Sequence, residues 1–350
     1  MAQKRIAVAM SGGVDSSVTA RLLQNEGYHV CGLTMVIARD SSSKKEQKTV
    51  KDAQEVARFL GIEHHVIDLR KQFYDSVIKQ FIAEYEAGRT PNPCVVCNKF
   101  IKFGTLLNKA RELGCEKMAT GHYVRQKYDK LLKEHQIYKA LDSGKDQTYM
   151  MYNLNQRTLA STVFPLGSYR KNEIKQLAKD WGLPIANNQE SQEICFIDDN
   201  DYKKYWQETT NSTGIAGILI DADGRQIGEH QGIQNFTIGQ RKGLGVALGY
   251  PAYVINIDSQ RHIVTIGREE LLWSTELKVD NVNWLSGHPP QSKDIEVKIR
   301  YRSKPEPAII KSITGTTAMI VFNKPQRAIT PGQSAVFYVG ELLLGGGIIG

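Results

Sequence analysis

A chain of 350 residues exceeds the roughly 250-residue size at which single hydrophobic cores stop growing, so two or three domains are expected. Its 41% hydrophobic share is ample for packed cores, while no apolar stretch approaches the roughly 20 residues of a membrane span, which excludes an integral membrane protein of helical type. The net charge of +8 points to a polyanionic partner, and five cysteines without a charged-then-apolar leader exclude a secreted disulfide framework, so a cytoplasmic protein is expected.

In chain order, Arg5 to Met10 is a short apolar run, Ser16 to Asn25 has helical spacing through Val18, Leu22 and Leu23, and Tyr28 to Ile37 is apolar again. That is a strand-loop-helix-strand unit. The polar segment Asp40 to Lys48 reads as a loop, followed by a helix at Val50 to Leu60, a strand at His64 to Ile67 and a helix at Gln72 to Glu86. A helix at Ile101 to Leu113 then leads into a strand at Lys117 to Thr120. This alternation predicts an α/β fold with a doubly wound parallel sheet, whose ligands bind at the carboxyl ends of the strands. After an amphipathic helix at Arg170 to Trp181 the pattern changes. From about Gly214 short β-branched runs alternate with Gly-rich turns, at 218–220, 252–257, 263–266, 296–301, 308–313, 318–321 and 334–338. They predict a small central domain and a terminal β-barrel. The domain limits are expected at 1–203, 204–275 and 276–350.

Ser11-Gly12-Gly13-Val14-Asp15-Ser16 follows a strand and opens a helix, so its backbone N–H groups converge on an anion. Gly12 and Gly13 admit phosphate oxygens close to the backbone, Ser11 and Ser16 add hydroxyls, and Asp15 is a candidate Mg²⁺ ligand. The Gly-Lys-Ser/Thr ending of a Walker loop is absent. The loop resembles that of the PP-loop ATP pyrophosphatases, in which a substrate is adenylated and pyrophosphate leaves.

Cys94 and Cys97 form a Cys-x-x-Cys after the stiffening prolines Pro91 and Pro93. Placed just before a helix and near Lys99 and Lys102, Cys97 is expected to have a lowered thiol pKa, suited to a nucleophile or a metal ligand. Cys195 lies far off, between polar and apolar neighbours. Cys31 and Cys115 read as small buried hydrophobes.

With Ser11 to Ser16, Pro91 to Phe103, Thr120 to Tyr123, Gly144 to Gln147, Ser191 to Ile197 and Thr237 to Gly245 taken together, the chain resembles the bacterial tRNA-uridine 2-sulfurtransferase family along nearly its whole length. The resemblance implies ATP- and Mg²⁺-dependent 2-thiolation of the wobble uridine of the tRNAs for Lys, Glu and Gln, with sulfur from a cysteine desulfurase or a sulfur-relay protein. It implies ATP on Ala9, Met10, Ser11, Gly12, Gly13, Val14, Asp15, Ser16, Met35 and Gly121. Cys97 would be the nucleophile and Cys195 the persulfide carrier, the two being able to form a disulfide. Asn92, Pro93 and Cys94 would face the target base, with His122, Lys145, Asp146, Gln147, Arg300, Tyr301 and Gln333 on the tRNA. Many members carry Asp where this chain has Cys94; the cysteine gives a three-thiol set with Cys97 and Cys195, suited to a [4Fe-4S] cluster. Persulfide and cluster both stay open at this point.

Arg241 and Lys242 sit among glycines in a turn that can press two cations against phosphates, although a solvated hairpin turn explains them as well. Two rival functions remain. A PP-loop ligase for a small metabolite leaves the cysteines and the basic β-rich tail without a use, and a non-catalytic tRNA-binding protein leaves the intact phosphate loop without one.

Overall fold

The computed structural model describes residues 4–38, 43–188, 194–197 and 201–350. The alternation of runs becomes strands β1 (Arg5–Ala9), β2 (His29–Val36), β3 (Glu63–Asp68) and β4 (Lys117–Thr120). A hairpin, β5 (Arg125–Asp129) and β6 (Glu134–Tyr138), then leaves this layer before β7 (Thr162–Val163) returns to it. The parallel order is β3-β2-β1-β4-β7. Because β1 is covered on both faces, its sequence is apolar throughout rather than alternating. Ile6 and Val8 pack on one side with α1 (Val14–Asn25), α2 (Lys44–Leu60) and α3 (Lys171–Asp180), while Ala7 faces the helical run from Pro93 to Glu112 on the other.

Two expectations need correction here. The loop assigned to Asp40 to Lys48 is helical from Lys44, because Ser43 Oγ accepts the Glu46 N–H at 3.4 Å and starts α2 early. The Glu46 carboxylate accepts the Ile37 and Ala38 N–H groups at 2.6 and 2.7 Å, tying that helix start to the end of β2; Asp40, Ser41 and Ser42 lie outside the described residues. The second concerns the helix expected from Ile101: it begins at Pro93, running through Pro93–Cys97, a wide-turned stretch at Asn98–Leu106 and Leu107–Glu112. Pro93 at the first helical position suits a missing N–H and a fixed φ.

The second sheet pairs β8 (Gly217–Ile220) and β9 (Gln226–His230) with β10 (Tyr253–Asp258) and β11 (Ile263–Gly267) in the order β10-β11-β8-β9. It encloses its own small core around Leu219, Val254, Val264 and Ile266. The last six strands are β12 (Trp273–Trp284), β13 (Asp294–Lys298), β14 (Glu306–Thr314), β15 (Thr317–Arg327), β16 (Ser334–Val339) and β17 (Leu342–Ile349). They follow the order β12-β15-β14-β13-β16-β17, and pairing of β12 with β17 closes the barrel. The hairpin adds to it from outside, Leu342 opposite Tyr138 and Leu343 opposite Ile137.

Candidate active site

In the parallel layer β1 and β4 are neighbours, and the chain leaves them toward opposite edges of the sheet, so their carboxyl ends open a crevice at the switch point. The phosphate loop leaves β1 there, with Gly13 as the residue preceding α1. Gly12 has φ +66°, and a Cβ on it would stand 2.7 Å from the Thr49 carbonyl oxygen and 2.9 Å from Asp52 Cβ. Only glycine fits. Ser16 Oγ accepts the Ser11 N–H at 3.1 Å and donates to the Gly13 carbonyl at 3.1 Å, so the loop's shape is set by its own hydroxyls. Gly121, just past β4, lets that strand end press against the start of α1: a Cβ would lie 3.0 Å from the Ser16 nitrogen and from Asp15 Cβ.

Asp15, expected as a Mg²⁺ ligand, faces the crevice but is already paired. Lys171 Nζ donates to its two oxygens at 2.6 and 2.8 Å, and the Tyr123 hydroxyl donates to Oδ1 at 2.8 Å. Lys171 is 7% exposed. Sequence reading missed it, since a lysine at the start of an amphipathic helix ordinarily reads as solvated; the available hint was Lys171 opening the helix that packs against α1.

The crevice opens into a cleft of about 2120 Å³. Cys94, Cys195 and Lys145 line the same cleft, together with Tyr301 and Arg302 from the loop between β13 and β14. Cys97, one helical turn from Cys94, is buried at 6% exposure beneath it, whereas Cys94 and Cys195 are exposed to the cleft. Cys195 is held by its neighbour Phe196, whose ring meets Phe73, Phe81 and Tyr205 at centroid distances of 5.4, 5.5 and 5.3 Å. Ser191 to Glu193, part of the resemblance, lie outside the described residues. Phe196→Ala should free the Cys195 segment and lower sulfur transfer about 10²-fold, the usual effect of misplacing a reacting group by about 1 Å, while AMP-forming activation of the acceptor continues. Single-turnover assays of the two half-reactions check this.

The expected lowering of the Cys97 pKa is overturned. Burial dominates and pushes the thiol up to about 12, against the opposing charge of Lys102; the like-charged thiolates of Cys195 and Cys94 would raise it further. Although Cys94 and Cys195 open onto the cleft, its surrounding walls desolvate them and likewise raise both, again opposed by Lys102. The error was geometric: Cys97 lies inside the helix with its side chain in the core, not at an open N-terminus. Cys31 and Cys115 are buried as expected.

His122 follows β4 into the cleft wall between Phe103 and Phe164. Burial, and then the Lys102 charge, hold its pKa well below the ordinary 6.5. Below pH 6.5 the unfolded chain takes up a proton that folded His122 refuses, so this group's contribution to stability falls as the pH drops from 6.5 toward the folded value. The His122 imidazole NMR resonance should therefore stay flat from pH 8 down to about 6, the reverse of a solvent-exposed histidine.

The remaining expected residues divide into two groups. Met10, Met35, Lys145, Asp146, Gln147 and Tyr301 line the cleft, as do Gly12, Gly13 and Val14. Asp146 and Gln147 also spend their side chains on the fold, Asp146 accepting the Ala140 N–H at 3.0 Å and Gln147 the Tyr123 N–H at 2.9 Å. Gln333 Nε2 donates to the Thr90 carbonyl at 3.0 Å, bracing the loop that carries Asn92, Pro93 and Cys94. Arg300 donates to the Arg327 carbonyl at 3.2 Å and to that of Ala328. Ala9 ends β1, one residue before the cleft. Arg241 and Lys242 are exposed on the second sheet's unit, away from the cleft lining. A residue the sequence did not single out is Asn98, whose buried Oδ1 has no partner among the described residues while its Nδ2 donates to the Met150 carbonyl at 3.1 Å.

The chain matches three family models: one described as the tRNA methyl transferase HUP domain over residues 4–199, one as the tRNA methyl transferase PRC-barrel domain over 203–268, and one as the aminomethyltransferase beta-barrel domain over 274–349. It is 48% identical to the tRNA-specific 2-thiouridylase MnmA 1 of Caldanaerobacter subterraneus subsp. tengcongensis, an alignment spanning 99% of this chain and 97% of that one. It is 46% identical to the tRNA-specific 2-thiouridylase MnmA of Halothermothrix orenii, over 99% and 98%. Among solved structures it is similar to the U34-tRNA thiolase NcsA from Methanococcus maripaludis with its [4Fe-4S] cluster, at 18% identity and TM-score 0.38, covering 60% of this chain and 65% of that one.

Proposed function

This chain belongs to the tRNA-specific 2-thiouridylase family, and from that premise we propose that it replaces the C2 oxygen of the wobble uridine of tRNA with sulfur at the expense of ATP. The observation that carries the reading is one cleft onto which the phosphate loop, the thiols Cys94 and Cys195 and the barrel residues Tyr301 and Arg302 all open. A small-metabolite ligase would have no use for thiols and barrel residues on the same cleft as its nucleotide. Three domains serve the reaction: 1–203 for ATP and sulfur, 204–275 as a connecting unit, and 276–350 for tRNA.

The uracil O2 attacks the α-phosphorus of ATP, N3 gives up its proton to solvent, and pyrophosphate departs. The N–H groups of the Ser11 to Ser16 loop and the start of α1 stabilise the charge on the leaving group. Met35 and Gly121 border the nucleotide, and Mg²⁺, which neutralises phosphate charge, would be held by Asp15 once Lys171 gives up one of its two contacts. Sulfur then forms a bond to C2, and O2 leaves with AMP. Asn92, Pro93 and Cys94 face the base, and Lys145, Arg300 and Tyr301 meet the tRNA. Arg241 and Lys242 reach its backbone from the central unit, and the sulfur comes from a cysteine desulfurase or relay protein in the cytoplasm. No described helix is long and apolar enough to cross a membrane.

Cys94, Cys97 and Cys195 also fit a [4Fe-4S] cluster. They form a soft, all-sulfur set whose thiols burial keeps protonated, so a bound positive centre would draw those protons off. Among the described residues they do not make a triplet with all donor atoms within 4.8 Å, the crowding a single ion asks for. When bound, the cluster supplies a Lewis-acidic iron for sulfide. Alternatively Cys195 carries a persulfide whose outer sulfur bonds C2 as AMP leaves, and the Cys97 thiolate then attacks Cys195 Sγ, breaking the S–S bond so that the sulfur stays on the base and a Cys97–Cys195 disulfide remains.

Incubation with ATP, Mg²⁺, sulfide or a persulfide donor, and unmodified tRNA should yield 2-thiouridine in digested nucleosides. AMP without thiolation would instead indicate a ligase for another acceptor. Protein purified without oxygen should carry about four irons per chain if the cluster is resident, and active iron-free enzyme would exclude it.

A further inference from the structure

Both forms of the sulfur step bring an anion, hydrosulfide or persulfide, into a space where burial opposes negative charge. Lys102 is the cation whose field reaches Cys94, Cys97 and Cys195 alike; Lys45 acts on Cys195 as well, from an exposed position on α2. Lys99, the other lysine of the motif, points away and lies over the Phe100 ring at 5.3 Å. Lys102 lines the cleft, half-buried, on the wide-turned stretch that follows Cys97.

A flexible lysine needs a second contact to stay in one place. Its Nζ lies 3.4 Å from His122 Nε2, and His122 Nδ1 lies 2.7 Å from Thr120 Oγ1. An ammonium can only donate, so Nε2 accepts and the Nδ1–H donates to Thr120. That assigns a neutral imidazole of fixed tautomer, with its ring held between Phe103 and Phe164 and Thr120 buried at 3% exposure. His122 has one nitrogen on the lysine and the other on the strand.

Resting on the thiolation reading above, we propose that Lys102 stabilises the attacking sulfur anion and that His122 is a positioning residue for Lys102 rather than a tRNA contact. The step it serves is the second one: a sulfur lone pair forms the C2–S bond, and the C2–O2 bond breaks with its electron pair leaving on AMP. With hydrosulfide, the S–H proton passes to N3. No oxidation state changes in this step, and no proton is asked of Lys102. Its ammonium shares the cleft with Cys94 and Cys195 and favours negative charge on all three sulfurs, and a cation already fixed in a site of low dielectric needs no reorganisation when the anion arrives.

The test separates this assignment from the reading on which it rests. Wild-type enzyme must make 2-thiouridine; if it does not, the function is wrong, whatever the variants do. Given that activity, Lys102→Met should lower single-turnover thiolation about 10²- to 10³-fold, in the range seen for loss of one preorganised charge-stabilising donor. tRNA-dependent exchange of pyrophosphate into ATP should persist, which also reports that the variant is folded. Lys102→Arg should recover part of the loss. His122→Gln should lower kcat with the tRNA dissociation constant unchanged, and in the Lys102→Met background it should add nothing, because its effect runs through the lysine. A raised tRNA dissociation constant with normal kcat in His122→Gln would overturn the positioning role. Equal losses of exchange and thiolation in both Lys102 variants would overturn the assignment to the sulfur step.

Discussion

Cys97→Ser should leave a folded protein that still exchanges pyrophosphate into ATP with tRNA present, yet forms 2-thiouridine at least about 10³-fold more slowly, the scale of loss when a covalent nucleophile is removed. The structure separates the two halves well enough to expect this. Cys97 is absent from the cleft lining, whereas the phosphate loop borders the cleft directly. Its side chain joins the core formed with Val95, Ile101 and Tyr149, where serine is of similar size and costs little packing. Equal loss of exchange and thiolation would mean that Cys97 supports the fold, and normal thiolation would remove it from the chemistry. Mass spectrometry after a stalled turnover would show sulfur on Cys195 if the persulfide route operates.

The second large effect is expected at Gly12. Alanine there is forced to φ +66° and brought within 2.7 Å of the Thr49 carbonyl oxygen, so either the loop or the first turns of α2 must shift. The left-handed conformation alone costs about 1 kcal/mol, and the backbone contact adds to it. A displaced loop no longer points its N–H groups at one anion, so ATP affinity should fall about 10²-fold by calorimetry with a non-hydrolysable analogue. The melting temperature should fall by only a few degrees. The contrasting variant is Gly182→Ala, also at positive φ but with open space around it, which should cost stability without touching ATP affinity.

How far these sites were legible differs residue by residue. The strand-loop-helix at Arg5 to Asn25 and the sheet around it follow from local periodicity, and the structure has them with helix starts moved by a few residues. Cys94 and Cys97 announce themselves by spacing, and Phe196 and Ile197 anchor Cys195 as the apolar flank implied. What local pattern could not carry is contact between distant segments. The pairing of Lys171 with Asp15 spans 156 positions, and Gln333 braces Thr90 across 243. Neither leaves a periodic trace. Burial of Cys97 was misjudged for a related reason: the start of its helix at Pro93, four residues before the thiol, decides which way the side chain faces. The long strand β12, with polar residues on its outer face, and the glycine-rich β17 did not read as strands because each is defined by its partner rather than by its own composition.

The place of β17 has a bearing on how the protein is made. Residues 125–138 leave the ribosome early, but the outer partner of their hairpin is the last of the described strands, more than two hundred residues later. Until then the edge of β6 stands open and the barrel lacks the strand that joins β12 to β16. Arrival of β17 closes the barrel and captures the hairpin in one event. Ribosome-bound chains halted before Leu342 should therefore hold a nucleotide-binding unit that is vulnerable to protease at the hairpin and prone to self-association through that edge, and released chains should lose both properties together.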